Sequence, residues 1–518
     1  MQSQPVLAGS VPVPALDPRR WAVLAVLSGS LLIIAMDTTI LNVAFPSLVA
    51  DLRPGSVEQL WIIDSYALAL SGLLITAGAL GDRFGRKLLL ITGFSIFALA
   101  SLAAVLATAP WQLIAARALL GVGGAAIMPS TLSILRQVFS DARERAVAYA
   151  VWAAVFGGGM ALGPVVGGLL VQSYGWHAAF LLNLPIAVLV IGLGLWLLPE
   201  SRKPALGGWD WWGVGQSMTG MFALAAGIKQ LGESGPASAT AWSLLAASAV
   251  LLTVFVRRQL RREHPLLQVR LFANRSFSAS AASLFLAMAG MGAVLFLLSQ
   301  WFQYVQGYGP LEAGTRLLPA PVALIVTSLL VPTLMSRFPV RNLLGVGMLM
   351  MAAGLALPWA VQQFAVIGYP AFAVSLGILG CGVGTATTVA SVTLMAATPP
   401  EEAGGAAAIE ETSYELGAAL GVAVLGSLAG ALYRADLAGL RLGGADLHAV
   451  RESIGEAALV SGRLGGAEGA ALLGKAAGAF TSGMTPAFLG GAVLALIAAV
   501  ACWIMIPRDL RPTENSEH

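Results

Sequence analysis

Five carboxylates lie inside stretches of sequence that are otherwise apolar: Asp37, Asp64, Glu410, Glu411 and Glu415. An ionised carboxylate at the centre of a helix in lipid costs about 2.5–3.5 kcal/mol on the mildest insertion scale, so five together point to function. A carboxyl group out of water holds a proton when neutral and attracts a cation when charged. A site that does both in turn exchanges one for the other. Glu411 and Glu415 are four residues apart and share one face of a helix, whereas Glu410 is turned about 100° from Glu411.

The elements that must carry these acids follow from composition. Of the 518 residues, 57% are hydrophobic and only 11% charged, and the mean hydropathy is +0.81. This excludes an ordinary soluble domain and predicts an all-α polytopic membrane protein. Apolar windows of about 20 residues fall near 21–45, 59–80, 88–108, 111–135, 146–172 and 177–198, then 210–231 and 238–256. Six more fall near 276–305, 313–335, 342–363, 367–396, 403–432 and 485–506. The expected organisation is therefore fourteen spans: a cytoplasmic tail over 1–20, a six-helix bundle over 21–198, a two-helix insertion over 199–257 and a basic linker over 258–275. A second six-helix bundle covers 276–507, with an outward hairpin at 433–484, and a tail follows at 508–518.

Lys and Arg collect in alternate connections, among them Arg19, Arg20, Arg83, Arg86, Lys87, Arg136, Arg202, Lys203, Arg257 to Arg275, Arg337, Arg341 and Arg508. Basic residues near span ends mark the cytoplasmic side, so both termini are expected there and the basic run 257–275 is read as a topology signal rather than a nucleic-acid site. Residues 1–18 have no apolar core, so the first span is expected to insert without a cleaved leader. Cys381 and Cys502 both fall in spans, so neither a disulfide nor a metal cluster is expected. The segment 433–484 is rich in Ala, Gly and Leu, with helical patterns at 450–460 and 470–480. It reads equally as an outer cap and as a surface loop.

At about 1.5 Å of rise per residue, Asp37 lies roughly 11 Å, Asp64 roughly 8 Å and Arg117 roughly 9 Å inward from the outer ends of their spans. Arg117 on that shared level could neutralise either acid, as a structural pair or as part of a proton relay. Aromatic faces near the acids could line a cation site; Trp61 and Tyr414 are the first candidates, followed by Trp301 and Tyr304. The two inserted spans carry no acid and are expected to be structural or interfacial.

Four motifs carry a resemblance. Between spans two and three runs Gly78-Ala-Leu-Gly-Asp82-Arg83-Phe-Gly85-Arg86-Lys87, and span five holds Gly159-Met-Ala-Leu-Gly163-Pro164-Val-Val-Gly167-Gly168. Span one contains Met36-Asp37-Thr-Thr-Ile-Leu-Asn42 and span thirteen Ile409-Glu410-Glu411-Thr-Ser-Tyr414-Glu415. With Trp61-Ile-Ile-Asp64, these resemble the 14-span drug:proton antiporters of the major facilitator superfamily over essentially the whole chain. The first resembles the family's loop signature, in which Asp82 and the basic residues would make a contact that breaks and remakes during rocking. The second resembles the antiporter motif, whose small face would let helices approach closely. The resemblance implies two six-helix bundles plus two inserted helices. One departure is noted: some such exporters carry an acid in span ten, and the matching stretch 317–324 has none.

The expected function is export of lipophilic cationic drugs, dyes and quaternary ammonium biocides in exchange for protons, by a monomer in a bacterial inner membrane. Protons, lipophilic cations and lipid would be its partners, with no other cofactor, no metal and no nucleic acid. Asp37, Asp64, Arg117, Glu411 and Glu415 would couple protons; Asp37, Glu410, Glu411, Glu415 and the four aromatics would bind substrate. A proton-coupled importer and a non-transporting sensor or scaffold remain open. An intramembrane enzyme is disfavoured, because neither His-Glu-x-x-His nor Gly-x-Ser-x-Gly occurs.

Overall fold

The computed structural model describes residues 18–139, 141–200, 210–263, 265–399, 403–440 and 444–508. Residues 1–17 and 509–518 of the expected terminal tails, and most of the first connection of the insertion, lie outside these residues. All regular structure among the described residues is helical. The first half comprises α1 (Arg20–Leu52), α2 (Ser56–Phe84), α3 (Arg86–Val105), α4 (Pro110–Val138), α5 (Ala142–Tyr174), α6 (His177–Leu181) and α7 (Asn183–Leu197). Then come α8 (Trp211–Ser234) and α9 (Ala239–Arg261), α10 (Arg275–Gln300), α11 (Pro310–Arg316), α12 (Pro319–Met335), α13 (Val340–Gln362) and α14 (Tyr369–Ala396). The chain ends with α15 (Ala403–Asp436), α16 (Gly444–Glu452), α17 (Ile454–Leu464) and α18 (Gly466–Met505).

Every expected span overlies helix. Twelve segments among the described residues are long and apolar enough to cross a membrane. The windows at 59–80 and 210–231 are not among those twelve, yet they coincide with α2 and α8, which are 29 and 24 residues long. Three spans differ from expectation, one of them the tenth, whose window 313–335 is broken between α11 and α12. The sixth span is split between α6 and α7, with Asn183 at the joint. The expected helical pattern at 470–480 is not half of a hairpin but the start of α18, a continuous 40-residue helix. An Ala- and Gly-rich helix whose opening turns carry only Glu468 and Lys475 reads nearly alike on either side of a membrane boundary, which is why its true start is not visible as a hydropathy edge.

In the first half α1 packs on α5 and α2 on α4; in the second, α10 packs on α15, α13 on α14 and α18, and α12 on α14. The small residues set these distances. A Cβ on Gly159 would stand 2.7 Å from that of Ala35, one on Gly163 would overlap the Thr39 hydroxyl, and one on Gly167 would overlap Ile40. Gly168 lies against Leu311 and Pro310, and Gly314 against the Pro164 carbonyl. The 159–168 motif is thus a close-packing seam that joins α5 to α1 on one side and to α11 on the other. Gly163→Val is expected to destabilise the protein by about 1–3 kcal/mol through overpacking. Gly158→Ala, whose added methyl meets nothing within 4 Å, should be neutral; melting of the purified proteins in detergent separates the two.

At the face remote from Arg20 and Met505, the halves are sealed together. Ser299 Oγ donates to the Asn42 carbonyl at 2.6 Å, Gln303 to that of Val43 at 3.1 Å, and Tyr304 to that of Pro46 at 3.3 Å. Phe45 and Phe296 meet edge to face at 5.2 Å. The short α16 and α17 cover this seam. Gln59 donates to Ser453 at 3.1 Å, the Tyr433 hydroxyl donates to the Val450 carbonyl at 2.8 Å, and α17 touches both α1 and α18.

The inserted pair does more than flank the bundles. α8 packs on α2 of the first half and on α15 of the second, while those two helices also touch each other. At the basic end Asp210 caps α8 by accepting from the Gly213 amide at 3.0 Å and pairs with Arg258 of α9 at 2.8 Å.

Candidate functional site

Two buried ion pairs form beside one another, and they divide the expected cluster. Asp37 on α1 is 1% exposed and Arg117 on α4 is 2% exposed. Arg117 Nη1 donates to Asp37 Oδ2 at 2.6 Å, and Asn183 Nδ2 donates to the other carboxylate oxygen at 3.1 Å. The break between α6 and α7 therefore delivers an amide to Asp37. Arg117 also donates through Nε to the Ile62 carbonyl at 3.2 Å and stands 4.5 Å from the centre of the Tyr66 ring. Gly121, with no side chain, lets α4 approach the Tyr66 backbone closely enough for this.

Asp64 does not share Arg117. Its partner is Lys229 on α8, with Nζ 3.1 Å from Oδ2 and both side chains sealed from solvent. The same ammonium lies 3.9 Å above the Trp61 ring, and Trp61 stacks on Phe222 of α8 at 5.7 Å. The inserted spans, expected to be structural or interfacial, thus supply the counter-charge for one of the five acids. Lys229 is the residue that a search for acids misses. The available signal is a lone lysine inside the window at 210–231, as costly in lipid as the carboxylates themselves.

Across the interface, α15 presents the glutamates. Glu415 is 6% exposed and within electrostatic reach of Arg117. Tyr66 feels Asp37, Arg117, Glu411 and Glu415 together, so these five groups form one cluster drawn from both halves. Neither Glu411 nor Glu415 forms a salt bridge or side-chain hydrogen bond among the described residues. Glu410 is turned away and accepts a short hydrogen bond from Ser391 of α14; Tyr414 lies beside Glu410 and Glu411.

Two of the expected aromatics are elsewhere. Trp301 is 1% exposed, donates to Thr481 Oγ1 at 3.0 Å and packs on Phe372 at 4.6 Å. Tyr304 lies at the sealed face, against Gly455 of α17. Both sit in the π-helical turn Trp301–Val305, where they pack the closed end rather than line the acid cluster.

At the basic face, Gly85 joins α2 to α3 with φ of +114°, a conformation open to glycine. Gly78 lies beside Pro129, Arg83 stacks over Phe84, and Lys87 Nζ donates to the Leu195 carbonyl at 2.8 Å. The Arg86 stem lies beside Gly81, and the Glu200 carboxylate closes on Gly85. The Asp82 side chain falls outside the described residues.

Two helical halves, a seam of small residues between them and charged groups meeting at their interface are the geometry of a transporter that rocks. The family model of the Major Facilitator Superfamily matches residues 27–422. The chain belongs to this superfamily. It is 39% identical over 493 residues to the multidrug efflux pump LfrA of Mycolicibacterium smegmatis, covering 95% of this chain and 97% of that one. It is 34% identical over 507 residues to the methyl viologen resistance protein SmvA of Salmonella typhimurium, covering 95% and 99%. The inward-facing, unoccupied crystal structure of a bacterial homologue of the human lysosomal transporter Spinster superposes with a TM-score of 0.65 at 17% identity. That match covers 94% of this facilitator and 97% of that chain. The protein is a multi-pass membrane protein with the major facilitator fold.

Proposed function

We propose that the protein exports lipophilic cations, including quaternary ammonium compounds and cationic dyes, in exchange for protons. The observation that carries this is the placement of Glu411 and Glu415. They lie one turn apart on α15, without a salt bridge, and face the Arg117–Asp37 pair across the interface of the two halves. A carboxylate there can release a proton as it gains a cation and reverse both steps when the halves rock. The efflux named for LfrA, and the methyl viologen resistance named for SmvA, support the outward direction.

In this reading the chain is a monomer of fourteen spans in a bacterial inner membrane. It comprises two bundles with α8 and α9 inserted between them, the basic face and both termini are cytoplasmic, and protons are the coupling ion with no other cofactor. The remote face sealed by α1, α10 and the α16–α17 cap is then the outer face, closed in this conformation. Asp37 and Arg117 hold each other while the cluster is empty; Glu411 and Glu415 meet the cation and the proton.

Reconstitution in proteoliposomes with an imposed pH gradient tests this. Ethidium is expected to move opposite to the proton flow and to stop when the gradient is dissipated. Ethidium moving in the direction of the protons would instead support an importer.

A further inference from the structure

Lys229 has a chemical oddity that a structural ion pair does not need. Its ammonium rests between a carboxylate, Asp64 at 3.1 Å, and the face of a tryptophan, Trp61 at 3.9 Å. A carboxylate and an aromatic face are the two groups that together recognise a lipophilic cation. No hydrogen bond from any other described residue reaches either Asp64 oxygen or Lys229 Nζ. A buried lysine offers three donors, so this pair is held by charge and the ring and lacks the network that would lock it in place.

The position of Lys229 adds a second observation. The residue also borders a small pocket between α2, α8, α10 and α15 beneath the α16–α17 cap. Gln59, Gln300, Ser427 and Glu452 give that pocket a partly polar lining. Lys229 therefore stands between the Asp64–Trp61 corner and a pocket at the sealed face, on a four-carbon stem that can swing from one to the other.

Resting on the proposed export of cations, we propose that Asp64 and Trp61 form a cation subsite and that Lys229 is a tethered cation filling it until the substrate displaces the ammonium towards the pocket. The inserted helix α8 then lends the transporter an internal competitor. It neutralises Asp64 in the empty protein and sets how strongly a cation must bind to take its place. Cations that match a carboxylate and a ring face displace it; solutes without charge do not.

The test uses the full-length protein in proteoliposomes with ethidium. If the ammonium fills the subsite about nine-tenths of the time, Lys229→Cys lowers the ethidium KM about tenfold. Treatment with 2-aminoethyl methanethiosulfonate, which rebuilds a tethered ammonium, then restores the wild-type KM, and methyl methanethiosulfonate does not. Wild-type protein given both reagents controls for Cys381 and Cys502. An unchanged or raised KM in Lys229→Cys, with only kcat reduced, overturns the proposal in favour of a structural bridge.

Should that single variant fail to fold, Asp64→Asn/Lys229→Gln keeps the site neutral and reads the subsite directly. Its KM is expected above that of the wild type, and a wild-type KM would overturn the proposal. Loss of ethidium exchange in the wild-type protein would refute the export reading itself, so the two failures are distinct.

Discussion

Replacing Arg117 by methionine is expected to cost the protein about 3–5 kcal/mol and to abolish transport, because Asp37 is left as a buried charge with one amide for company. Arg117 satisfies three groups at once: the Asp37 carboxylate, the Ile62 carbonyl and the Tyr66 ring. Methionine fills part of the volume and replaces none of these contacts. The companion Asp37→Asn/Arg117→Met removes both charges and retains the hydrogen bond from Asn183 by an amide flip. It should recover most of the lost stability, as buried ion pairs commonly break even with neutral replacements. Thermal inactivation of the three proteins in detergent measures both effects. Equal losses for single and double variants would show that the pair is not the source of the cost.

Glu411→Gln and Glu415→Gln should have the opposite signature. Neither glutamate forms a salt bridge, so neutralising either relieves a desolvated carboxylate without orphaning a partner, and stability should hold or rise. Function should fall. Losing one charge-assisted contact to a cation, about 1.5–3 kcal/mol, corresponds to a KM raised about tenfold to a hundredfold. With both replaced, no exchangeable proton remains on this face of α15, and ethidium flux should no longer respond to a pH gradient. Glu410→Gln is the internal comparison: Glu410 is occupied by Ser391 and turned away, so its effect should be small. Flux in proteoliposomes at graded ethidium concentrations separates the three.

The acids were legible because nothing else in an apolar window costs as much, and Arg117 was legible for the same reason. Which acid Arg117 meets was not legible. Helix depth places Asp37 and Asp64 on one level, but the azimuth of each helix is set by packing, here by Gly121 of α4 against α2 and by the 159–168 seam of α5 against α1. Lys229 carried the same signal as the acids, but it lies in the pair of helices that family analogy treats as an addition. Its meaning appears only when α8 is seen packed against α2 and α15.

The spans themselves were legible from hydropathy, since length and apolar content are what a bilayer demands. The start of α18 was not, because an Ala- and Gly-rich segment satisfies water and lipid alike. The aromatic candidates divide for a related reason. Trp61 shares a helix face with Asp64 at i and i+3, whereas Trp301 and Tyr304 sit in a π turn whose register redirects side chains.

Proton release on binding tests the central claim most directly. Tetraphenylphosphonium titrated into the purified, weakly buffered protein in detergent, with a pH indicator present, reports whether cation and proton compete for the same carboxylates. The wild-type protein is predicted to release protons in step with saturation, and Glu411→Gln/Glu415→Gln to release none at concentrations high enough to bind. Saturable binding with no proton release from the wild type would contradict the account.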